Sequence, residues 1–461
     1  MTERSPGERM ERSRVTDGNP NPATPGAFAA IAPAKRLPLA GIRIADLSAV
    51  WAGPYATRLL ADMGAEVIKV ESAGSPDLLR TLGLQPPGTE RPYNRSAYFN
   101  HNNRNKYGCS IDLAAPGGKE LFLDLVKVSD IVIENFRADV LDNLGLGYDV
   151  LRAVRPDIIL ISMPGHGKTG PEARHIAYGT NVEQLAGLVS ITGYEGGEPH
   201  KSGVSYGDPV SGTVAAGAIM TALLYRRRTG NGQFIDLAQR EALTTLLGEF
   251  VVHYGMTRRL PRPSGNSHPA WAPHGAYRCR AGSPSDPRHG GPGDDQWLTI
   301  AVRDDAEFAS LCGVIDRPDL AQDPRFADAL SRFRNRSELD EPISAWTSQH
   351  EPLEAAAALQ SAGVPAGAVE SYRHLLDDDP QLRARGFFEE VTHPEAGTWR
   401  MERPVWRFSD APAHVRINGP SFAEHNDFVY QSLLGLEDRD ITALTASGAI
   451  GEHPDTAVHG R

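Results

Sequence analysis

Apolar positions along the chain follow a repeating strand–helix rhythm from Leu37 to Leu237. Short aliphatic runs predict five buried strands, and apolar residues at helical spacing predict helices between them. Single helices between strands imply parallel pairing, so the pattern predicts an α/β fold with a doubly wound parallel sheet. The predicted strands are 42–47, 66–70, 130–134, 158–162 and 233–237, and the main predicted helices are 55–63, 116–128 and 213–228.

Changes in composition divide the chain into four predicted parts. Residues 1–36 are rich in Pro, Gly, Ser, Thr and Arg and lack the apolar core of a secretory signal, which predicts a disordered tail. Residues 37–240 form the first part of a large domain, and 241–375 hold a linker helix and a smaller α/β domain. Residues 376–461, with a strand pair around Glu389 and Arg400, return to complete the large domain. Both chain ends therefore build it.

Charge and cysteine content exclude several classes of protein. The chain of 461 residues has 47 Lys and Arg against 58 Asp and Glu, a net charge of −11, which lacks the basic footprint of a nucleic-acid-binding protein. Cys109, Cys279 and Cys312 lie far apart, without the spacing of a disulfide framework or a metal site, and this usage suits the cytoplasm. No apolar run reaches the length of a membrane span, so no membrane partner is expected.

Two strand ends carry candidate ligand-binding residues. The turn Trp51-Ala52-Gly53 follows the first strand and opens a helix, which is where doubly wound sheets bind ligands. Asn135 and Phe136 end the strand 130–134 at the same edge, and an amide beside an aromatic ring suits an adenine or an amide-bearing chain. Asn135 is interpreted equally well as a turn residue.

A candidate nucleophile precedes a helix of small residues. Asp208 lies between Gly207 and Pro209, where it is either a plain helix N-cap, the interpretation that the local pattern favours, or a carboxylate that forms an acyl intermediate. The histidines do not have metal-ligand spacing, so no metal site is predicted and they are interpreted as structural. They are His166, His175, His268 and His274.

Several motifs resemble the class III (CaiB/BaiF-type) CoA-transferase family, which includes formyl-CoA, carnitine and bile-acid CoA-transferases. The resemblance runs from about Leu37 to about Leu444. The residues that carry it are Leu39-Ala40-Gly41-Ile42-Arg43-Ile44-Ala45-Asp46-Leu47, Ala52-Gly53-Pro54, Leu60-Ala61-Asp62-Met63-Gly64-Ala65-Glu66-Val67-Ile68-Lys69-Val70-Glu71, Asn103-Arg104-Asn105-Lys106, Glu134-Asn135-Phe136-Arg137, Gly207-Asp208, Arg228-Thr229-Gly230-Asn231-Gly232-Gln233, Gly363-Val364-Pro365-Ala366 and Glu424-His425.

This resemblance implies a CoA-transferase in which Asp208 is the nucleophile. The carboxylate would attack an acyl-CoA thioester, form a mixed anhydride and then an aspartyl-CoA thioester, and pass CoA to a carboxylic acid. CoA is thus a substrate and no permanently bound cofactor is implied. The partners implied are an acyl-CoA, a small carboxylic acid and a second copy of the chain in an interlocked homodimer.

The resemblance also implies binding residues. Gly265 and Asn266 stand where the family has an oxyanion or lid loop, and Arg104 and Lys106, with Arg80, are candidates for the CoA phosphates. The other implied CoA contacts are Trp51, Ala52, Ile111, Asn135, Phe136 and Arg137.

Two alternatives share this fold. An α-methylacyl-CoA racemase would carry an Asp where Gly179 stands, and Glu183 nearby is a substitute only if it is not an ordinary surface residue of its helix. A non-catalytic CoA-binding homologue would keep the fold alone. The missing Asp favours the transferase over the racemase, and the Gly-Asp pair at 207–208 argues against the non-catalytic homologue.

Overall fold

A computed structural model describes residues 37–82, 91–280 and 296–455. The predicted tail 1–36 and the Gly- and Pro-rich loop 282–293 lie outside the described residues. Among the described helices, none combines the length and the apolar character needed to cross a membrane.

A six-stranded parallel sheet forms the centre of the structure, in the order β3-β2-β1-β4-β5-β6. The strand order reverses between β1 and β4, which confirms the predicted doubly wound α/β fold and creates a crevice at their carboxyl ends. In the register, Ala45 of β1 pairs with Ile68 on one side and Val132 on the other. The strands are β1 Arg43–Asp46, β2 Glu66–Glu71, β3 Lys106–Ser110, β4 Ile131–Glu134, β5 Ile159–Ser162 and β6 Phe234–Asp236.

Helices cover both faces of this sheet. One buried cluster joins the sheet to α1 and α7, and a second joins it to α3 and α5. Aliphatic residues of the strands alternate between the clusters, as a sheet buried on both faces requires. The helices up to the second sheet are α1 Ala52–Asp62, α2 Ala97–Asn103, α3 Gly118–Lys127, α4 Val140–Asn143, α5 Tyr148–Val154, α6 Gly179–Leu185, α7 Gly207–Thr229, α8 Gln239–Thr244 and α9 Gly248–Thr257.

A smaller sheet with its own core follows. It has three antiparallel strands in the order β7-β8-β9, and helices α10 and α13 pack on it around Leu298, Leu311 and Leu359. The predicted smaller α/β domain is therefore present, with antiparallel pairing. Its elements are β7 His274–Arg278, β8 Trp297–Ala301, α10 Asp305–Val314, α11 Ala329–Arg334, α12 Arg336–Thr347, α13 Pro352–Ser361 and β9 Ala366–Ala368.

The last part of the chain returns to the parallel sheet. Val429, Tyr430 and Ile450 belong to the cluster that also holds β1 to β5 residues, so both chain ends build the large layer. The predicted strand pair is confirmed, with Glu390 opposite Arg400. The domain boundaries at 240 and 375 stay predictions. The elements are α14 Tyr372–Asp377, α15 Pro380–Ala384, β10 Phe388–His393, β11 Gly397–Glu402, a π-helical segment Phe428–Leu433 and α16 Asp438–Ala446.

Candidate active site

The turn after β1 opens helix α1 at the crevice. Trp51 is the N-cap of α1 and its side chain makes no capping hydrogen bond. A side chain at Gly53 would lie 2.2 Å from the Ser48 Cβ, because the turn folds back closely over the start of the helix. Helix N-termini carry unpaired backbone N–H groups. The first amides of α1 are thus available to an acceptor outside the helix.

Asn135 fastens this turn from the end of β4. Its Oδ1 accepts a hydrogen bond from the Ala49 backbone N–H at 2.8 Å, and its Nδ2 donates to the Ala49 carbonyl, also at 2.8 Å. Phe136 follows, half-buried, with its N–H donating to Glu134, and Arg137 is exposed beside Asp139. The amide of Asn135 is therefore occupied by the protein, while Phe136 and Arg137 border the crevice.

Asp208 lies in the first turn of α7 and is 7% exposed. The prediction of a helix N-cap is wrong, because α7 begins at Gly207 and Tyr206 occupies the cap position. The carboxylate packs directly against the backbone of Gly179, where a Cβ atom would lie 1.7 Å from Asp208 Oδ2. The structure thus seats this carboxylate in a tight pocket that requires a glycine beside it.

Burial dominates the electrostatics of Asp208. Burial raises the pKa of Asp208 to about 7, the Ala52 backbone amide lowers that pKa by donating a hydrogen bond, and the Glu183 carboxylate raises it further. A carboxylate poorly solvated by water and held by a helix amide is suited to nucleophilic attack.

Glu183 is buried, which corrects the expectation of a surface residue. Its carboxylate accepts hydrogen bonds from the Ser202 hydroxyl at 2.9 Å and from the Tyr206 backbone N–H at 2.5 Å. Helix α6 turns this side chain inward, and the two bonds hold the loop that leads into α7. Glu183 therefore supports the position of Asp208.

Two aromatic residues lie near Asp208, and of these only Trp51 is predicted from the sequence. The rings of Trp51 and Tyr98 meet edge to face, with centroids 5.3 Å apart. The pKa of Tyr98 is raised, first by burial and then by the Asp208 charge, so the phenol stays protonated beside the carboxylate. The Trp51 Nε1 is buried and has no hydrogen-bond partner within the described ranges. No local sequence signal connects Tyr98 with Asp208.

The structure corrects the prediction that Arg104 and Lys106 grip CoA phosphates. Arg104 pairs with Asp62 at 2.8 Å and Lys106 with Asp46 at 3.1 Å, and these four side chains are at most 1% exposed. Buried cations that are already paired within the fold cannot meet a phosphate without breaking those pairs. Both residues are structural.

Three more predicted site residues are engaged within the protein. Arg80 pairs with Glu71 at 2.7 Å and is buried, so the CoA-phosphate role is corrected for it as well. Ile111 is 1% exposed within the core, which corrects its predicted CoA contact. The Ala52 side chain is also buried, and this residue reaches the site through its backbone amide.

The contacts of Gly265 and Asn266 run to another loop. Gly265, at φ +58°, donates its N–H to the Gly193 carbonyl at 2.8 Å and faces Tyr194. The Asn266 carbonyl lies 2.6 Å from His274 Nδ1. An oxyanion or lid role for these residues stays a prediction.

The chain is similar to known proteins along most of its length. The chain matches the model of CoA-transferase family III over residues 39–426. It is 35% identical over 413 residues to the succinyl-CoA–D-citramalate CoA-transferase of Chloroflexus aurantiacus, covering 90% of this chain and 98% of that protein. It is 30% identical over 416 residues to the human succinyl-CoA:glutarate CoA-transferase, covering 90% of each. A crystal structure of a CaiB/BaiF family protein from Brucella suis has a TM-score of 0.77 and 33% identity, covering 86% of this chain and 100% of that one.

Proposed function

This chain belongs to CoA-transferase family III and is an acyl-CoA:carboxylate CoA-transferase, and we propose that Asp208 is its covalent nucleophile. The observation that carries the proposal is the buried Asp208 carboxylate, packed on Gly179 and held by the Ala52 amide at the crevice of the sheet. Positioning and desolvation offset the weak intrinsic nucleophilicity of a carboxylate.

In the proposed reaction an Asp208 oxygen attacks the thioester carbonyl of the donor. The C–S bond breaks, CoA leaves as the thiolate, and a mixed anhydride remains. The thiolate then attacks the Asp208 carbonyl, which releases the donor acid and leaves an aspartyl-CoA thioester. The acceptor carboxylate attacks that carbonyl, the thiolate leaves again and re-attacks the acceptor acyl group. Acyl-CoA forms and the Asp208 carboxylate is restored.

The donors of hydrogen bonds around Asp208 fit the oxyanions that form in these steps. The Tyr98 hydroxyl stays protonated, and the Trp51 indole N–H is buried without a partner in the described part of the chain. We propose that CoA lies along the strand ends, with its nucleotide beside Phe136 and its thiol near Trp51. Arg137, which follows Phe136 and has a side chain 43% exposed, is the cation that we propose for the CoA phosphates.

The substrates proposed are succinyl-CoA and a small dicarboxylic acid. The named relatives use succinyl-CoA with citramalate or glutarate, and the chain covers at least 90% of their length. Incubation with succinyl-CoA and a panel of mono- and dicarboxylic acids, followed by detection of new thioesters, tests this choice. New thioesters from monocarboxylates alone would contradict it.

The racemase alternative has less support at this site. A racemase-like Asp at position 179 would need space that the Asp208 carboxylate occupies. Glu183 is committed to the loop before α7 by its bonds to Ser202 and Tyr206. Unchanged configuration of a 2-methylacyl-CoA after incubation with the enzyme is the expected result.

The nucleophile is tested by Asp208→Asn. An amide of the same size cannot form the anhydride, so transfer should be lost while the fold remains. Mass spectrometry after treatment with acyl-CoA and hydroxylamine should locate modification on the peptide with Asp208. Glu195→Gln, at a carboxylate 72% exposed, is the control and should keep full activity. Full turnover by undeamidated Asp208→Asn would refute the assignment.

We also propose a homodimer, because α9 has no buried residue in the single chain although it is rich in apolar side chains. Val251 and Val252 are each 60% exposed and Met256 is 80% exposed. Exposed apolar faces of this kind mark protein–protein contacts.

The free, buried cysteines fit the proposed cytoplasmic location.

A further inference from the structure

Val50 has a backbone conformation that its side chain disfavours. Its φ is +65°, in the left-handed region where β-branched residues are rare. Such strain persists only where surrounding contacts impose it, and it concentrates at functional sites. Val50 directly precedes Trp51, the N-cap of α1.

Two residues from separate parts of the chain impose this conformation, Asp77 at the start of a 3-10 turn and Asn135 just after β4. Asp77 Oδ1 accepts a hydrogen bond from the Val50 N–H at 3.1 Å, and Asn135 binds both backbone groups of Ala49. Lys69 holds both the loop and Asp77 in place. Its Nζ donates to the Ser48 carbonyl and to Asp77 Oδ2, the latter at 2.9 Å. The Lys69 and Asp77 side chains are 1% and 0% exposed.

The strained loop sets the direction of α1. Ala52, the first residue of this helix, packs closely on α7, since a Cβ at Gly212, one turn after Asp208, would lie 2.6 Å from the Ala52 carbonyl oxygen. The Ala52 amide lowers the pKa of the Asp208 carboxyl, and α1 has no side-chain cap to compete for that amide. A rotation of the loop at Val50 would swing the amide away. We propose that Asp77 and Asn135 are positioning residues for the transfer reaction, which hold the Ala52 amide against Asp208 through the strained loop 48–51. This proposal rests on Asp208 as the nucleophile.

The test is a pair of double-mutant cycles with Val50→Gly. Glycine adopts the left-handed conformation without strain, so Val50→Gly alone should change kcat less than about threefold. Asp77→Ala and Asn135→Ala should each lower kcat by about 10²-fold, as a displacement of roughly 1 Å does. Adding Val50→Gly to either should restore kcat at least about tenfold, because the loop then no longer needs the full anchor.

Rescue distinguishes positioning from other roles. If Asn135 only contacted CoA, or if Asp77 only stabilised the fold, Val50→Gly would change kcat by the same factor with and without the second substitution. This result would overturn the proposal. Asn135→Ala leaves no unpaired buried charge, so its cycle decides the matter if Asp77→Ala does not fold. Asp62→Ala removes a buried carboxylate at the other end of α1 and should lose stability without rescue.

The two proposals fail in different ways. Active Asp208→Asn would refute the nucleophile. Inactive Asp208→Asn together with normal kcat in Asp77→Ala and Asn135→Ala would leave the nucleophile standing and refute the positioning role.

Discussion

The same burial that removes water from the Asp208 carboxylate is what we expect to make it reactive. The carboxylate is covered by Gly179 and held by one helix amide, while the other acidic neighbour, Glu183, opposes its ionisation. Only the ionised form can attack a thioester. With Asp208 as the proposed nucleophile, the protonation state of this one group should control the activity of the free enzyme.

Activity should rise with pH through about 7. Burial raises the pKa of Asp208 to about 7, so the nucleophile is mostly protonated at pH 6 and mostly ionised at pH 8. The acid limb of kcat/KM reports groups of the free enzyme. A plot of kcat/KM from pH 5 to pH 8.5 should rise and then level off near pH 7. A plot that is already flat at pH 5 would contradict the raised pKa of Asp208.

The same pKa shift acts against stability, which gives an independent check. The folded state holds this proton between about pH 4 and pH 7 while the unfolded state has released it, so stability falls as pH rises through that window. Asp208→Asn should thus raise the free energy of unfolding at pH 8 by on the order of 2 kcal/mol, and by much less at pH 4. Urea unfolding at the two pH values measures the difference.

Gly179 should be essential for activity and dispensable for folding. The Cβ of Gly179→Ala would lie 1.7 Å from Asp208 Oδ2, so the carboxylate must move. A shift of about 1 Å should lower kcat by about 10²-fold, although Ala favours the helix by roughly 1 kcal/mol.

Gly217→Ala is the control for Gly179→Ala. A Cβ at Gly217 in α7 meets no atom within 4 Å. This variant should retain full kcat, with an equal or higher melting temperature. Full activity in Gly179→Ala would show that the carboxylate has more room than the structure gives it.

Helix α1 is anchored by a buried ion pair at each end. Lys106 lies under its N-terminus, bonded to Asp46 and to the Pro54 carbonyl at 2.9 Å, and Arg104 pairs with Asp62 at its C-terminus. These pairs connect α1 with β3 and the residues just before it. They fix the element that presents the Ala52 amide.

Removing either buried cation should therefore lower the stability of the fold and leave CoA binding unchanged. Lys106→Ala and Arg104→Ala leave a carboxylate buried and unpaired, which costs about 3 kcal/mol of unfolding free energy. Their folded fractions should bind CoA with unchanged salt dependence. Arg137→Ala, at an exposed cation, should do the reverse, with weaker CoA binding, a smaller salt slope and unchanged stability. Urea unfolding and CoA titration at two salt concentrations separate the cases.

On the scale of the whole molecule, the exposed apolar face of α9 should control assembly. Val252→Glu combined with Met256→Glu places two charges one helical turn apart on that face and should convert the dimer to a monomer in sedimentation velocity. Leu330→Glu, at a position 58% exposed on α11, is the matched control and should stay dimeric. A monomeric wild-type protein at micromolar concentration would refute the proposed dimer.

The fold class and the family follow from local features of the sequence. Aliphatic runs such as those in β4 and β5 can only be buried, and the single predicted helices 55–63 and 116–128 between successive strands imply parallel pairing. The motif residues Gly207 and Asp208 identified the candidate nucleophile. These features depend on residues close together in the sequence, so the periodicity and composition of the chain are enough to predict them.

The direction of buried polar side chains, and their partners from distant parts of the sequence, depend on tertiary contacts. Strand β3 was not predicted, because its Lys106 and Gly108 interrupt the aliphatic pattern, and the burial of Lys106 depends on Asp46. The position of Tyr98 beside Asp208 and the inward turn of Glu183 likewise depend on contacts between separate elements. A polar residue tolerates burial when a partner satisfies it, and a local pattern does not specify that partner.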